Sequence, residues 1–277
     1  MTNKRIIITL YTICAMTNLF GQANYGDDVN AGKYVKSGDA EIYYEIYGKG
    51  EPLVLLHGAL YGYIDEYTRH IPHLSKHFKV IAIATRGHGK SGFGSQPFSY
   101  DLLARDVKAV LDKEKFEYVN VFGFSTGAVI GHYFNAKYPN YVKKLVIMSG
   151  GSKIRPSASQ ELRNLNYANF AEDNNDFIVS RKSLMPEPER YPELIKNLKL
   201  LWFDKEYVKA DASALIDNPV LIIAGDRDDY YSVEQFVGIY NTMSSASLSI
   251  VPDRNHVGLL FDQSVLLNTI IPFLLND

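Results

Sequence analysis

Apolar residues recur along the chain with two different periods. Near the start, Ile42, Tyr44 and Ile46 alternate with Tyr43, Glu45 and Tyr47. That period of two predicts a strand over 41–47, paired with another over 34–37 across a Gly38–Asp39 turn. Later runs at 53–56, 80–84, 119–122, 145–148 and 220–224 are short and almost continuously apolar. Such runs suit central parallel strands buried on both faces. A further strand is expected at 248–251. Between the strands lie helical patterns at 65–76, 101–113, 126–137, 233–243 and 263–275. In 101–113, Leu102, Leu103, Val107, Val110 and Leu111 gather on one side and charged residues on the other. Strands and helices in alternation predict an α/β fold with a mostly parallel central sheet and helices on both faces. The loops at the carboxyl ends of the strands are then the place to look for chemistry.

Two segments break the alternation. Residues 150–218 are polar and helix-like, with Pro156, Pro186, Pro188 and Pro192 and two apolar patches at 162–170 and 194–203. They read as a helical lid inserted into a core made of 24–149 and 219–277. The other exception is the N-terminus. Lys4 and Arg5 precede an apolar run over 6–16, and Gly21 and Ala23 stand at positions −3 and −1 of a cut before Asn24. This is the pattern of a secretory signal peptide over 1–23, and it predicts a secreted or periplasmic protein. An uncleaved anchor or a buried strand is the alternative.

Composition narrows the functions available. The only cysteine, Cys14, lies inside the leader, and Ile13 before it is too bulky for a lipoprotein cleavage site. The mature chain would hold no thiol, so disulfides and thiolate metal sites are excluded. Lys and Arg total 29 against 31 Asp and Glu, a net charge of −2. No basic excess exists to attract nucleic acid. No run reaches the roughly 18 apolar residues of a membrane span, so stable membrane insertion is not expected once the leader is removed. The sequence leaves the oligomeric state open.

The strongest chemical signal is Gly123-Phe124-Ser125-Thr126-Gly127. It follows an apolar strand and opens a helix, the setting of a nucleophile elbow. The serine must sit on a tight turn to project its hydroxyl above the sheet, and bulky neighbours would clash there. A serine hydroxyl needs a base to take its proton. With a strand–elbow serine the chain order is serine, acid, histidine. Of seven histidines only His256 lies beyond position 132, in a loop just past the strand at 248–251. Asn255 before it suits a left-handed turn. The acid must orient the imidazole. The strand at 220–224 ends in Gly225-Asp226-Arg227-Asp228-Asp229. Asp228 closes a G-x-x-D turn and is assigned as the acid, with Asp226 as a turn cap or partner of Arg227 and Asp229 as solvated. Acyl transfer also needs donors for an oxyanion. The backbone amides of Thr126, which follows the serine, and Ala59, in the His57-Gly58-Ala59-Leu60 loop, are the candidates. His57 itself reads as a hydrogen-bonding residue of the turn.

Five motifs in this order resemble the α/β-hydrolase superfamily: LLHG at 55–58, RGHGKS at 86–91, GFSTG at 123–127, GDRD at 225–228 and NH at 255–256. The resemblance runs from about Tyr34 to Leu275. It is to the small lid-bearing serine esterases and cofactor-free haloperoxidase-like enzymes. Epoxide hydrolases and dehalogenases of this fold carry an aspartate where Ser125 stands, which disfavours their chemistry. Prolyl aminopeptidases carry an HGGPG-like loop where this chain reads HGALYG. The resemblance implies hydrolysis of a small-molecule ester or related acyl substrate through an acyl-enzyme on Ser125, without metal or organic cofactor. Amide or carbon–carbon bond hydrolysis by the same residues stays open, as does a receptor-like member that only binds its ligand. Discrimination among them belongs to the site and not the fold. His70, His73 and His77 have near-helical spacing, but Pro72 interrupts it and no acid cluster completes a metal site. RGHGKS lacks the spacing of a phosphate loop.

Overall fold

Among the described residues, eight strands form one sheet. β1 (Gly32–Ser37) and β2 (Ala40–Tyr47) make the expected antiparallel hairpin, with Val35 opposite Ile42. β3 (Glu51–Leu56), β4 (Phe78–Ile83), β5 (Val119–Phe124), β6 (Val142–Met148), β7 (Val220–Gly225) and β8 (Ala246–Val251) follow. The spatial order is β1-β2-β4-β3-β5-β6-β7-β8, and every pair from β4 to β8 is parallel. The computed structural model describes residues 24–151, 153–203 and 217–276, so the leader expected over 1–23 lies outside the described residues.

The continuous apolar runs resolve into two faces. Val54, Leu56, Ile81, Val121, Leu145 and Ile147 point into one core, beneath α2 (Tyr100–Glu114), α3 (Thr126–Lys137) and α7 (Val233–Asn241). Their neighbours Leu53, Leu55, Val80, Phe122, Val146 and Met148 point into the other. That second core is closed by α1 (Ile71–Leu74), α8 (His256–Leu260) and the C-terminal helical segments. Alternate residues of a strand face opposite sides, so a strand covered on both faces is apolar almost throughout, with buried Asn120 in β5 and Lys144 in β6 as exceptions. α2 starts where the Ser99 side chain accepts the Leu102 amide, and ends at Lys115 in the left-handed conformation.

Between β6 and β7 the chain forms α4 (Pro156–Asn164), α5 (Tyr167–Lys182) and α6 (Tyr191–Trp202). Asn166 and Asn169 cap α5 reciprocally, and the helix kinks at Asn174, whose φ is −131°. Phe170, Ile178, Leu194, Ile195 and Leu198 join the first core.

Three sequence expectations need correction. The helix expected over 65–76 is a 3₁₀ turn, Ile64–Tyr67, followed by the four-residue α1. Pro72 offers no amide to a preceding turn, so the helix restarts at it. The apolar period was real all the same, since Ile64, Tyr67, Ile71 and Leu74 are buried. The helix expected over 263–275 is divided into Gln263–Val265, a π turn at Leu266–Ile270 and Ile271–Leu275, with Pro272 in the last. The left-handed residue before His256 is Asp253, with φ 54°, and not Asn255. Asn255 is extended and caps α8, its side chain accepting the Gly258 amide at 2.8 Å.

Candidate active site

β5 ends at Phe124 and α3 begins at Thr126, which leaves Ser125 to make the turn. Its backbone sits at φ 53°, ψ −121°. A residue with a side chain pays roughly 1–3 kcal/mol to occupy such a region, so its surroundings must hold it there. The Ser125 amide donates to the Met148 carbonyl at 2.9 Å, and its carbonyl accepts the amides of Ala128 and Val129. The flanking glycines are required by contact. A Cβ on Gly123 would lie 2.6 Å from the Ala128 Cα, and one on Gly127 would lie 2.5 Å from the His57 carbonyl oxygen.

Two further loops meet this turn. His256 opens α8 after β8, and its Nε2 lies 2.9 Å from the Ser125 Oγ. Its Nδ1 lies 2.8 Å from Asp228 Oδ2. A carboxylate only accepts, so Nδ1 carries the proton and Nε2 of the neutral ring is free to accept the serine hydroxyl. The second carboxylate oxygen of Asp228 accepts the amides of Tyr230 and Tyr231 at 2.9 and 3.0 Å. Burial by itself would raise the Asp228 pKa. The His256 charge, the hydrogen bond to its ring and the two amides outweigh burial and hold the carboxyl below its usual range. Asp226 stands 3.7 Å from Arg227 and Asp229 is exposed, so of the three aspartates Asp228 alone meets the histidine. The rings of Tyr230, Phe124 and Tyr231 surround the imidazole at 4.8, 5.1 and 5.9 Å.

The loop after β3 is pinned at successive atoms. Tyr67 donates its hydroxyl to the Leu56 carbonyl at 2.8 Å. His57 Nε2 accepts the Thr85 amide, so its Nδ1 carries the proton and donates to the Gly58 carbonyl at 2.7 Å. Burial, then the neighbouring His88, drive the His57 pKa well below its ordinary value, so the ring is neutral and serves the turn. The Gly58 carbonyl belongs to the same peptide plane as the Ala59 amide. In a trans peptide, fixing one directs the other the opposite way. The Ala59 carbonyl accepts the Gly62 amide. Among the described residues neither the Ala59 nor the Thr126 amide has an acceptor.

The insertion touches each of these loops. The Trp202 indole donates to Thr126 Oγ1 at 3.2 Å. Tyr61 donates its hydroxyl to Asn174 at the kink of α5, and its ring packs on Phe170 and Phe177 at 5.4 and 5.1 Å. The Arg155 amide donates to the Tyr230 carbonyl at 2.7 Å. His70 is buried against Tyr67 and Phe122. Among the described residues no three His, Cys, Asp or Glu side chains are grouped to hold a metal ion.

Sequence reasoning passed over Glu66. Its Oε2 accepts the Gly58 amide at 2.6 Å, directly before Ala59. Its only signal in the sequence is a carboxylate in the same loop, eight positions on, at an apolar-facing turn of the chain.

The arrangement is a hydroxyl aimed at an accepting imidazole nitrogen, with a buried carboxylate behind it and the His57–Gly58 loop packed against the turn. It can deprotonate an oxygen nucleophile and stabilise an oxyanion.

Residues 51–202 match the model of a family described as alpha/beta hydrolase fold. "Putative carbamate hydrolase RutD" of Azorhizobium caulinodans is 34% identical over 120 residues, 43% of this chain and 45% of that one. The chain thus spans less than half the length of this relative. "Serine hydrolase BPHL" of Mus musculus is 24% identical over 243 residues, 84% of this chain and 82% of that one. Among solved structures, the enol-lactonase from Burkholderia xenovorans LB400 superposes with a TM-score of 0.71 at 19% identity, covering 88% of this chain and 100% of the other. That structural likeness speaks for the fold.

Proposed function

The chain belongs to the alpha/beta hydrolase fold family, and from that premise we propose that it is a serine hydrolase that cleaves small carboxylic esters. Ser125 attacks the ester carbonyl while His256 takes its proton. Asp228 holds the imidazole tautomer and stabilises the imidazolium. The Ala59 and Thr126 amides receive the oxyanion. Protonated His256 then gives its proton to the departing alcohol. Water, deprotonated by the same ring, releases the acid and restores Ser125. The observation that carries this reading is the unbroken chain of hydrogen bonds from Ser125 Oγ through both nitrogens of His256 to Asp228.

The helices between β6 and β7 act in this proposal as a lid that sets substrate size. Their contacts with Thr126, Tyr61 and Tyr230 support that role. An aromatic and largely uncharged surround of Tyr61, Phe170, Phe177 and Tyr230 favours apolar acyl groups. Residues 1–23 act as a cleaved export signal and the protein works outside the cytoplasm. The basic pair ahead of an apolar run supports this, and N-terminal sequencing of protein recovered from the medium or periplasm tests it.

Exposure to a fluorophosphonate followed by intact-mass analysis tests the chemistry. One adduct per chain, lost in Ser125→Ala, together with hydrolysis of short-chain p-nitrophenyl esters is the expected result. An adduct without ester turnover would redirect the search to amide or carbon–carbon substrates. No adduct on folded protein would overturn the nucleophile.

A further inference from the structure

We propose that Glu66 is a positioning residue of the oxyanion loop: its carboxyl grips the Gly58 amide and so keeps the next amide, that of Ala59, directed at the substrate carbonyl. The inference rests on the reading of Ser125 as nucleophile.

The geometry is specific. The Gly58 residue is held from both sides, its N–H by Glu66 Oε2 at 2.6 Å and its C=O by His57 Nδ1 at 2.7 Å. These two bonds fix the peptide planes before and after the Gly58 Cα. Glycine has no Cβ to restrict that rotation, so without these bonds the chain could turn freely at this point. A side chain at position 58 would itself press on Glu66 Oε1 and on the Phe124 ring, both at 3.2 Å, which shows how closely loop, carboxyl and elbow approach. Glu66 is in turn held by its place on the turn Ile64–Tyr67, between buried Ile64 and Tyr67.

The protonation state follows from the surroundings. Burial raises the Glu66 pKa to about 8. The Gly58 hydrogen bond and the Arg181 charge lower it, and the charge on Asp65 adds to the rise. Tyr67 also faces it. Arg181 does little to ionise Glu66 because its guanidinium is engaged bidentately by Asp65 at 2.7 and 2.9 Å. A neutral carboxyl accepts the amide through its carbonyl oxygen and places no negative charge beside a developing oxyanion. An ionised one would hold the loop equally well but oppose the charge forming there. The rate should therefore fall as pH rises through about 8.

The experiment compares the parent with Glu66→Ala and Glu66→Gln on p-nitrophenyl acetate from pH 6 to 9.5, with the fluorophosphonate labelling rate as a second readout. Loss of one oxyanion donor lowers kcat by about 10²–10³. A loosened donor in Glu66→Ala should lower kcat by about tenfold to a hundredfold and slow labelling in parallel, while KM changes by less than about threefold. Glu66→Gln keeps an acceptor and cannot ionise. It should recover most of the lost rate and abolish the alkaline decline of the parent. A stabilising role alone would lower the melting temperature of Glu66→Ala and leave kcat and labelling where they were, and that result overturns the proposal. So does an alkaline limb that persists in Glu66→Gln. Absence of labelling in the parent overturns the serine reading first, and this inference with it. Normal labelling of the parent with unchanged labelling of Glu66→Ala sinks this inference alone.

Discussion

At the scale of single residues, the proposed hydrolysis divides the site into groups that would react and groups that would aim them. Asp228 belongs to the second kind. One of its carboxylate oxygens accepts the amides of Tyr230 and Tyr231 and the other meets His256 Nδ1, which sets the nitrogen of His256 that bears the proton. Asp228→Asn keeps the shape and could still accept, but its amide could equally donate to Nδ1 and stabilise the tautomer that cannot accept from Ser125. A loss of about 10³–10⁴ in kcat is expected near neutral pH, with KM little changed and the fold intact. A variant retaining a tenth of the parent rate would show that the tautomer is fixed by something other than this carboxylate. The residues proposed to react could be picked out because each occupies a motif with a mechanical reason, and the fold does bring them together. Ser125 needs its two glycines, His256 is the only histidine so late in the chain, and Asp228 ends the turn after β7. Residues that aim by tertiary contact carry no such mark. Glu66 meets Gly58 because the loop folds back on itself, a fact about packing that no periodicity records.

Elements show the same divide between what pattern dictates and what packing adds. The strands were legible because a strand covered on both faces must be largely apolar: 53–56 and 220–224 are wholly so, and 119–122 is broken only by the buried Asn120. Boundaries within helices were less so. Pro72 breaks the stretch after the Gly58–Ala59 loop into a 3₁₀ turn and α1, and that break leaves Glu66 on the short turn Ile64–Tyr67. The apolar stripe of α6 was legible and packs into the first core, but the contact of its last turn with the elbow, a hydrogen bond from Trp202 to Thr126, leaves no mark in the pattern. Trp202 is the only tryptophan in the chain, so tryptophan emission reports the surroundings of this one indole. Thr126→Val preserves shape and removes the acceptor, which should loosen the contact by about 0.5–1.5 kcal/mol. The emission should shift to the red as the indole meets water, and ester kcat should fall severalfold. Emission superimposable on that of the parent would mean that the bond does not seat the helix.

On the scale of the whole molecule, the double-sided core has a consequence for behaviour in acid. Four histidines besides His256, namely His57, His70, His88 and His132, are buried. Burial lowers the pKa of His70 to about 3 and of His88 and His132 to about 4, and drives that of His57 well below its ordinary value. Unfolded, each would titrate near 6.5. Below that pH the unfolded chain binds protons that the folded one refuses, so stability falls as pH drops from about 6.5 toward 4. Each group contributes up to about 1.4 kcal/mol per pH unit in that window. Glu66 acts in the opposite sense. Folded, it keeps its proton up to about pH 8, whereas unfolded it releases it above the ordinary carboxyl range, so it offsets one of the four. About three protons should be taken up on unfolding near pH 5, and the loss of stability across the window should reach several kcal/mol, a large part of the ~5–15 kcal/mol of a typical domain. Urea unfolding midpoints at pH 7.5, 6 and 4.5 measure this directly, and His132→Asn should reduce the slope by about one proton. A midpoint that stays constant from pH 6.5 to 5 would mean that the buried histidines gain protons in the folded state as readily as in the unfolded one, and that the interior around them is not dry.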